Sequence, residues 1–326
     1  MCRQPSLSEL WSEPTTGRNA TLCVYDLFCG AGGFSEGARA AGHRVVLACD
    51  NNADALACHA TNHPLCRHVL LDLPCSAHAL EFPTDNTPFH IHASPPCQAF
   101  STMNTRELKL EERRDGALGL VAWFLDLVMQ VRPTSWSFEQ VANAAVIKLL
   151  ERERIAAPRH LMYAVVDFSE LGVPQTRKRL LAGSPALLAG LLRKRDLTRR
   201  QCVLSVVPNP PIGATHLRSS ARWIRKRRRH QRRPGEAKYT YEAAQLTDKL
   251  HPLASLAPTI TTKLNAIQWV CATNACSVSY QCLCAADAAM LQTFSSSYQF
   301  PFDAHELSNR LVGNAYPPLV AKLLLE

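Results

Sequence analysis

Cys97 stands in the segment Ser94-Pro95-Pro96-Cys97-Gln98-Ala99-Phe100-Ser101, directly after an apolar run that ends at Ala93. Two prolines stiffen the approach and hold the cysteine out of regular structure. A thiol that is partly exposed and close to positive charge can work as a thiolate nucleophile. The plain alternative for one cysteine among thirteen is an inert, buried side chain. Glu139 closes a second apolar run, in Phe138-Glu139-Gln140-Val141. A carboxylate there can hold or protonate a substrate nitrogen if desolvation raises its pKa, or it is a solvated surface acid. Arg177 and Arg179, in Gln175-Thr176-Arg177-Lys178-Arg179, are two residues apart and share a face on an extended segment. Together they could bind a carbonyl oxygen or a phosphate and favour the thiolate, or form an ordinary charge cluster.

A second constellation begins at Phe28-Cys29-Gly30-Ala31-Gly32-Gly33. Glycines between a strand and a helix let the backbone turn tightly and approach a ligand closely. Asp50 follows Gly30 by twenty residues, at the end of the next apolar run, where a carboxylate can take ribose hydroxyls. Asp72, at the end of a third run, could accept from an adenine amino group. These residues describe a pocket for an adenosine-bearing cofactor. Ser35 occupies the place of the last glycine of a G-x-G-x-x-G fingerprint, which disfavours a nicotinamide dinucleotide. Three glycines in an ordinary turn is the competing reading, and Asp50 weighs against it.

These residues need elements that carry them to one edge. Short β-branched and aromatic runs predict strands at 23–28, 44–48, 68–71, 89–93, 135–138, 161–166 and 179–182. Helical composition predicts helices at 34–41, 53–60, 116–131, 142–154, 286–294 and 317–325. The helix at 116–131 must stop at Arg132-Pro133, because proline disfavours helix in the residue before it. Strands alternating with helices over 21–182 argue for an α/β, doubly wound, mostly parallel Rossmann-like sheet, with ligands at the carboxyl ends of its strands. The alternation breaks over 205–262, rich in Pro, Thr and basic residues, which suggests a separate small domain.

The chain has 326 residues, 47% of them hydrophobic and 19% charged, which is ordinary globular chemistry and excludes a disordered chain. Its net charge is +9, and the run at 222–233, with Arg222, Arg225, Lys226 and Arg227 at its start, holds eight Lys or Arg residues and no acid. The run accounts for most of the basic excess and could track a nucleic-acid backbone, serve as a nuclear address, or form a disordered loop. The thirteen cysteines are scattered without a C-x-x-C pair, and residues 1–20 read as a polar tail with no secretory leader. The expectation is therefore an intracellular protein with reduced thiols. No membrane span is expected, because the longest apolar run, 116–129, is too short and carries Asp126. The cluster Cys271, Cys276, Cys282 and Cys284 lacks common zinc spacings, and no metal is expected.

In this order the motifs resemble the cytosine-5 DNA methyltransferase family. The likeness runs from Asp26-Leu27-Phe28-Cys29-Gly30-Ala31-Gly32-Gly33-Phe34 through Pro96-Cys97-Gln98, Glu139, Gln175-x-Arg177-x-Arg179 and Leu291-Gln292-Thr293-Phe294 to Gly313-Asn314-Ala315-Tyr316-Pro317-Pro318. It covers about 21–182 and 280–326. The resemblance implies S-adenosyl-L-methionine as methyl donor, cradled by Phe28, Gly30 and Gly32, with Asp50 on the ribose, Asp72 on the adenine and Asn314 completing the pocket. It implies that Cys97 attacks C6 of a cytosine flipped out of double-stranded DNA. Glu139 would bind the N3/N4 edge, Arg179 the O2 atom, and Arg177 would support the loop. Gln98 and Ser101, beside the nucleophile, and the basic run would contact nucleic acid. By the same likeness, 21–187 and 276–326 form the catalytic domain and 188–275 a smaller target-recognition domain. The expected form is a monomer, in the nucleus of a eukaryotic host or otherwise in the cytoplasm.

Three positions depart from the family pattern. Gln140 replaces the Asn of Glu-Asn-Val, so local loop hydrogen bonding is expected to differ. Ala286-Asp287 replaces Arg-Glu, removing an arginine that in the family braces the recognition domain. Phe294-Ser295-Ser296 replaces Phe-Pro-Asp. Two other readings stand beside the first: a tRNA cytosine-5 methyltransferase of the same fold, whose Cys-Phe-Thr-type segment is not found here, and a catalytically silent DNA-binding homologue.

Overall fold

The computed structural model describes residues 21–96, 110–157, 159–195, 201–207, 210–211, 214–219, 249–252, 255–262, 264, 267–274 and 277–326. The tail at 1–20, the loop residues Cys97, Gln98 and Ser101, and the basic residues Arg222, Arg225, Lys226 and Arg227 lie outside the described residues.

Seven strands form the main sheet: β1 (Cys23–Leu27), β2 (Arg44–Asp50), β3 (Arg67–Leu70), β4 (Phe89–Ala93), β5 (Ser135–Gln140), β6 (Met162–Asp167) and β7 (Lys178–Gly183). Their order is β3-β2-β1-β4-β5-β7-β6. β1 to β5 run parallel, and β7 lies antiparallel between β5 and β6. The order reverses between β1 and β4, the point where open α/β sheets hold ligands.

Helices α1 (Gly33–Ala40), α2 (Ala53–Asn62), α3 (Leu110–Val131), α4 (Ala144–Ala156) and α5 (Pro185–Arg195) cover the faces. In α3 the buried residues Ala117, Val121, Phe124, Leu125 and Val128 recur at three- and four-residue intervals, giving one apolar stripe against the sheet. Each such large side chain contributes about 1.5–3 kcal/mol by leaving water. The helix ends at Arg132, which takes φ 53° before Pro133. The strands β1 and β4, buried along their length, carry two histidines in the core. His90 bonds Ser135 Oγ (2.8 Å) and Ser137 Oγ (2.9 Å), and His92 bonds Ser137 Oγ (2.7 Å) and Ser94 Oγ (2.7 Å), so every ring nitrogen has a partner.

After α5 comes the short α6 (Val203–Val206) and a second, four-stranded antiparallel sheet of β8 (Ala214–Ser219), β9 (Lys249–Pro252), β10 (Ile267–Asn274) and β11 (Ser277–Cys282), in the order β11-β10-β8-β9. The expected return to the catalytic domain at 276 falls between two paired strands, since β11 completes the small sheet. Val203, Val206, Leu217 and Ile267 share one apolar cluster with residues of α7 (Ala285–Leu291) and α8 (His305–Asn314).

The last helix, α9 (Pro318–Leu325), returns to pack on α1. A Cβ on Gly37 would stand 2.2 Å from Pro318 O and one on Gly33 only 1.9 Å from Tyr316 O. Glycine is the residue that permits this closeness of backbones.

Candidate active site

Register places the chemistry-bearing residues side by side. Leu27 pairs with Ala93, and Ala93 pairs with Phe138, so Phe28, Ser94 and Glu139 stand in a row at the carboxyl edge of the sheet, Glu139 still paired with Leu181 of β7. Because β7 is antiparallel, its start, with Arg179, reaches the same edge.

At one end of this row is the glycine turn. Phe28, Gly30 and Gly32 have φ of 58°, 54° and 90°, a left-handed run that costs little at the glycines. Gly30 has open space where a Cβ would project, with no heavy atom within 4 Å. Its N–H donates to Asp50 Oδ2 at 2.8 Å, while Asp50 Oδ1 accepts from Asn52 N at 2.9 Å. Burial raises the Asp50 pKa, and its backbone hydrogen bonds pull it back toward the ionised form. Asp72, exposed at the end of the β3 segment, accepts from Asn51 Nδ2 at 3.0 Å. The Phe28 ring meets the edge of Trp123 at 6.3 Å. An open turn, two carboxylates at successive strand ends and an aromatic wall fit an adenosyl ligand.

Below the turn, Asp26 is almost fully buried and accepts from Ser35 N (3.2 Å) and Ser35 Oγ (2.7 Å). Burial pushes its pKa up to about 7. Tyr298 donates its hydroxyl to Ala31 O, and the His59 ring lies against Gly32, 2.8 Å from where a Cβ would be. Sequence reasoning missed both supports, which come from an unassigned loop and from an Ala-rich helix with no motif. Asn314 is exposed at the end of α8, two residues before the Tyr316 carbonyl that abuts Gly33.

At the other end of the row, Glu139 Oε1 and Arg179 Nε form an ion pair at 2.9 Å, each side chain 13% exposed. The pair is largely desolvated yet open on one side, which suits groups that must meet a ligand. Arg177 goes elsewhere. It is buried, and its guanidinium donates to Ile260 O (2.9 Å) and Ala315 O (3.2 Å). The two arginines therefore do not share an exposed face. Arg177 lies just before β7, where its backbone N–H is taken by Asp167 Oδ1 (3.2 Å) and Thr176 N–H by Ala257 O (3.0 Å). This tether turns its side chain inward.

Gln175 is a second bracing residue. Its amide donates to Leu291 O (2.9 Å) and Gln292 Oε1 (3.0 Å) and accepts from Ile260 N (2.8 Å), while Gln292 donates to Val312 O (3.0 Å). Thr259 donates its hydroxyl to Thr176 O, so this threonine holds the loop.

A family model for C-5 cytosine-specific DNA methylases matches residues 22–326. The chain belongs to that family. It is 32% identical over 163 residues to the type II methyltransferase M.HindV of Haemophilus influenzae, covering 48% of this chain and 50% of that protein. It is 33% identical over 180 residues to M.HgiDI of Herpetosiphon aurantiacus, covering 52% and 56%. The chain thus spans about half the length of these relatives. Among solved structures, a putative DNA modification methyltransferase encoded within an Escherichia coli prophage matches with TM-score 0.61 at 20% identity, covering 94% of this chain and 97% of that one. The S. pombe Dnmt2 methyltransferase matches with TM-score 0.63 at 14% identity, covering 94% and 97%. At these identities the likeness is one of fold.

The chain departs from the family pattern at Gln140, and the structure shows the consequence. The Gln140 side chain is buried, donates through Nε2 to Pro95 O at 3.1 Å and accepts through Oε1 from Val141 N at 2.8 Å. It ties the strand end that carries Glu139 to the proline pair leading to Cys97. At the second departure, Asp287 lies in the first turn of α7, where its N–H donates to Cys284 Sγ at 3.3 Å. Among the described residues no helix is long and apolar enough to cross a membrane.

Proposed function

We propose that this chain is a DNA cytosine-5 methyltransferase that uses S-adenosyl-L-methionine. The observation that carries the reading is the Glu139–Arg179 ion pair standing in register with the Pro95-Pro96 approach to Cys97 and with the glycine turn. When bound, the cofactor supplies an electrophilic methyl group. Phe28, Gly30 and Gly32 shape the space for it, Asp50 takes the ribose, Asp72 the adenine, and Asn314 borders the pocket.

Cytosine is a poor nucleophile at C5 until a thiolate adds at C6, and the ring is reachable only when the base leaves the stack. Cys97 forms that bond. Glu139 holds the N3/N4 edge and Arg179 the O2 atom, so that charge developing on the ring is met by groups already in place. Arg177 and Gln140 position these groups without touching the base. Once C5 carries the methyl group, its proton would leave to water while the Cys97–C6 bond breaks, restoring the C5=C6 bond and the thiolate. The small sheet of β8–β11, within the expected recognition region of 188–275 and extending to Cys282, would contact duplex DNA together with Gln98, Ser101 and the basic run at 222–233. Such a substrate places the protein inside the cell.

The test is transfer of labelled methyl groups from S-adenosylmethionine to duplex DNA or to tRNA, with Cys97→Ser as control. Incorporation into DNA that disappears in the control is expected. Transfer to tRNA alone, or DNA binding without transfer, would replace this reading. A duplex containing 5-fluorocytosine should trap an adduct on Cys97, and an adduct mapped to another cysteine would remove Cys97 from its role.

A further inference from the structure

Sequence spacing directed the search for metal ligands to the cysteines at 271–284, but the group that could hold an ion is elsewhere. His59, near the end of α2, and Cys66 and His68, two residues apart at the start of β3, bring one ligand atom each within 4.8 Å of one another. Cys66 stands in the turn just before β3, its N–H bonded to His63 O at 3.0 Å, and this turn carries its sulfur toward α2 beside His68. His59 Nδ1 and His68 Nε2 stand 2.8 Å apart.

We infer that His59, Cys66 and His68 form a structural site for a divalent transition-metal ion of the zinc type. Three observations support it. The donor set of two imidazoles and one thiol selects zinc-like ions over magnesium or calcium, which take oxygen. His59 has the outer-shell partner expected of a ligand: its Nε2 bonds Ser35 Oγ at 2.9 Å, and Ser35 Oγ donates to Asp26 Oδ2 at 2.7 Å. With Asp26 ionised, this chain fixes the His59 proton on Nε2 and leaves the Nδ1 lone pair facing His68 and Cys66. His63, one turn along, is outside this convergent group and faces Glu36 Oε2 at 3.9 Å, so the fourth position takes water. Finally, His59 and Cys66 are buried while His68 is half-buried, so the site is enclosed and still has an entry path.

Tetrahedral zinc places such atoms roughly 3.3–3.6 Å apart, given bonds of about 2.0–2.1 Å to nitrogen and 2.3 Å to sulfur. The imidazoles must part slightly and the sulfur close in, which side-chain rotation allows. On coordination the Cys66 thiol gives its proton to solvent and binds as thiolate. The ion would clip α2 to β3 under the glycine turn, because the His59 ring packs on Gly32.

The experiment titrates the full chain, stripped of metal, with Co2+ and then with Zn2+, and does not depend on methyl transfer. One Co2+ per chain is expected, with a sulfur-to-cobalt charge-transfer band that Zn2+ abolishes. Cys66→Ser should lose the band, His68→Ala should lose the site, and Ser35→Ala should weaken affinity about 10- to 100-fold. Zn2+ should raise the thermal midpoint of the unmodified chain but not of His68→Ala, whose half-buried side chain can be removed without opening the core. The thirteen cysteines make the comparison between variants decisive. A band of undiminished strength in Cys66→Ser, no band in the unmodified chain, or an equal Zn2+ shift in His68→Ala would overturn the site.

Discussion

Glu139 and Gln140 are neighbours with opposite duties, one facing the cleft and the other the protein. Replacing Glu139 by Gln keeps the shape but removes the charge that pairs with Arg179 and, on the proposed function, weakens the hold on the cytosine N3/N4 edge. The rate of the chemical step should fall by about 10^2- to 10^4-fold in single-turnover methyl transfer, the range of general acid–base catalysis. A variant within threefold of the parent would remove Glu139 from the chemistry. Replacing Gln140 by Ala leaves Pro95 O and Val141 N without their partner in a buried place. The loss should be about 1–3 kcal/mol in urea unfolding, with a matching drop in transfer rate, and Gln140→Asn should recover part of the rate. Glu139, Arg179, the proline approach and the glycine turn were singled out by residue type and spacing, but the ion pair between the first two was not. Nor was the inward turn of Arg177, because its guanidinium bonds Ile260 O and Ala315 O, 83 and 138 residues away.

At the scale of elements, strands with continuous apolar runs were legible: all seven strands of the main sheet fall where β-branched and aromatic residues cluster. The second sheet was not. β8 reads Ala-Thr-His-Leu-Arg-Ser and β9 Lys-Leu-His-Pro, so neither carries the run of apolar residues that announces a strand buried on both faces. Leu217 and Ile267 of this sheet pack in one cluster with residues of α7 and α8, a support that lies outside the strands and that local sequence does not announce. α5 and α8 were also missed, the first hidden by its starting proline and the second by a mixed polar composition. The contact of α1 with α9 gives a direct test. Gly37→Ala puts a methyl group 2.2 Å from Pro318 O and 2.5 Å from Ala321 Cβ, so the helices must separate. The cost should be about 1–3 kcal/mol by urea unfolding, as for other overpacked cores. An unchanged midpoint would mean that the helices part freely.

Across the whole molecule, buried histidines set the response to acid. Burial pushes His90 down to about 3 and His92 far below the ordinary 6.5. Below pH 6.5 the unfolded chain takes up protons that the folded core refuses. The stability from these two groups is therefore complete above 6.5 and is lost as pH falls toward 3. Asp26 works in the other direction: raised from 3.8 to about 7 by burial, it favours the folded state at low pH and loses that contribution as pH rises through 7. Each group changes stability by about 1.4 kcal/mol per pH unit within its window, so two histidines outweigh one aspartate. His59 and His63, also held low by burial, add to the histidine side. Urea midpoints should fall from pH 6 to pH 5 by at least roughly 1.4 kcal/mol in unfolding free energy, and a flat profile would show that the core histidines are protonated when folded.

The seating of Tyr316 and Pro318 against Gly33 and Gly37 has a consequence for biosynthesis. The glycine turn is translated almost three hundred codons before the residues that wall one side of its pocket. Until those residues emerge from the ribosome, the side of α1 that α9 covers stays bare, a target for chaperones. Any product that stops short of Gly313 keeps that side uncovered, and should be cleared by proteolysis.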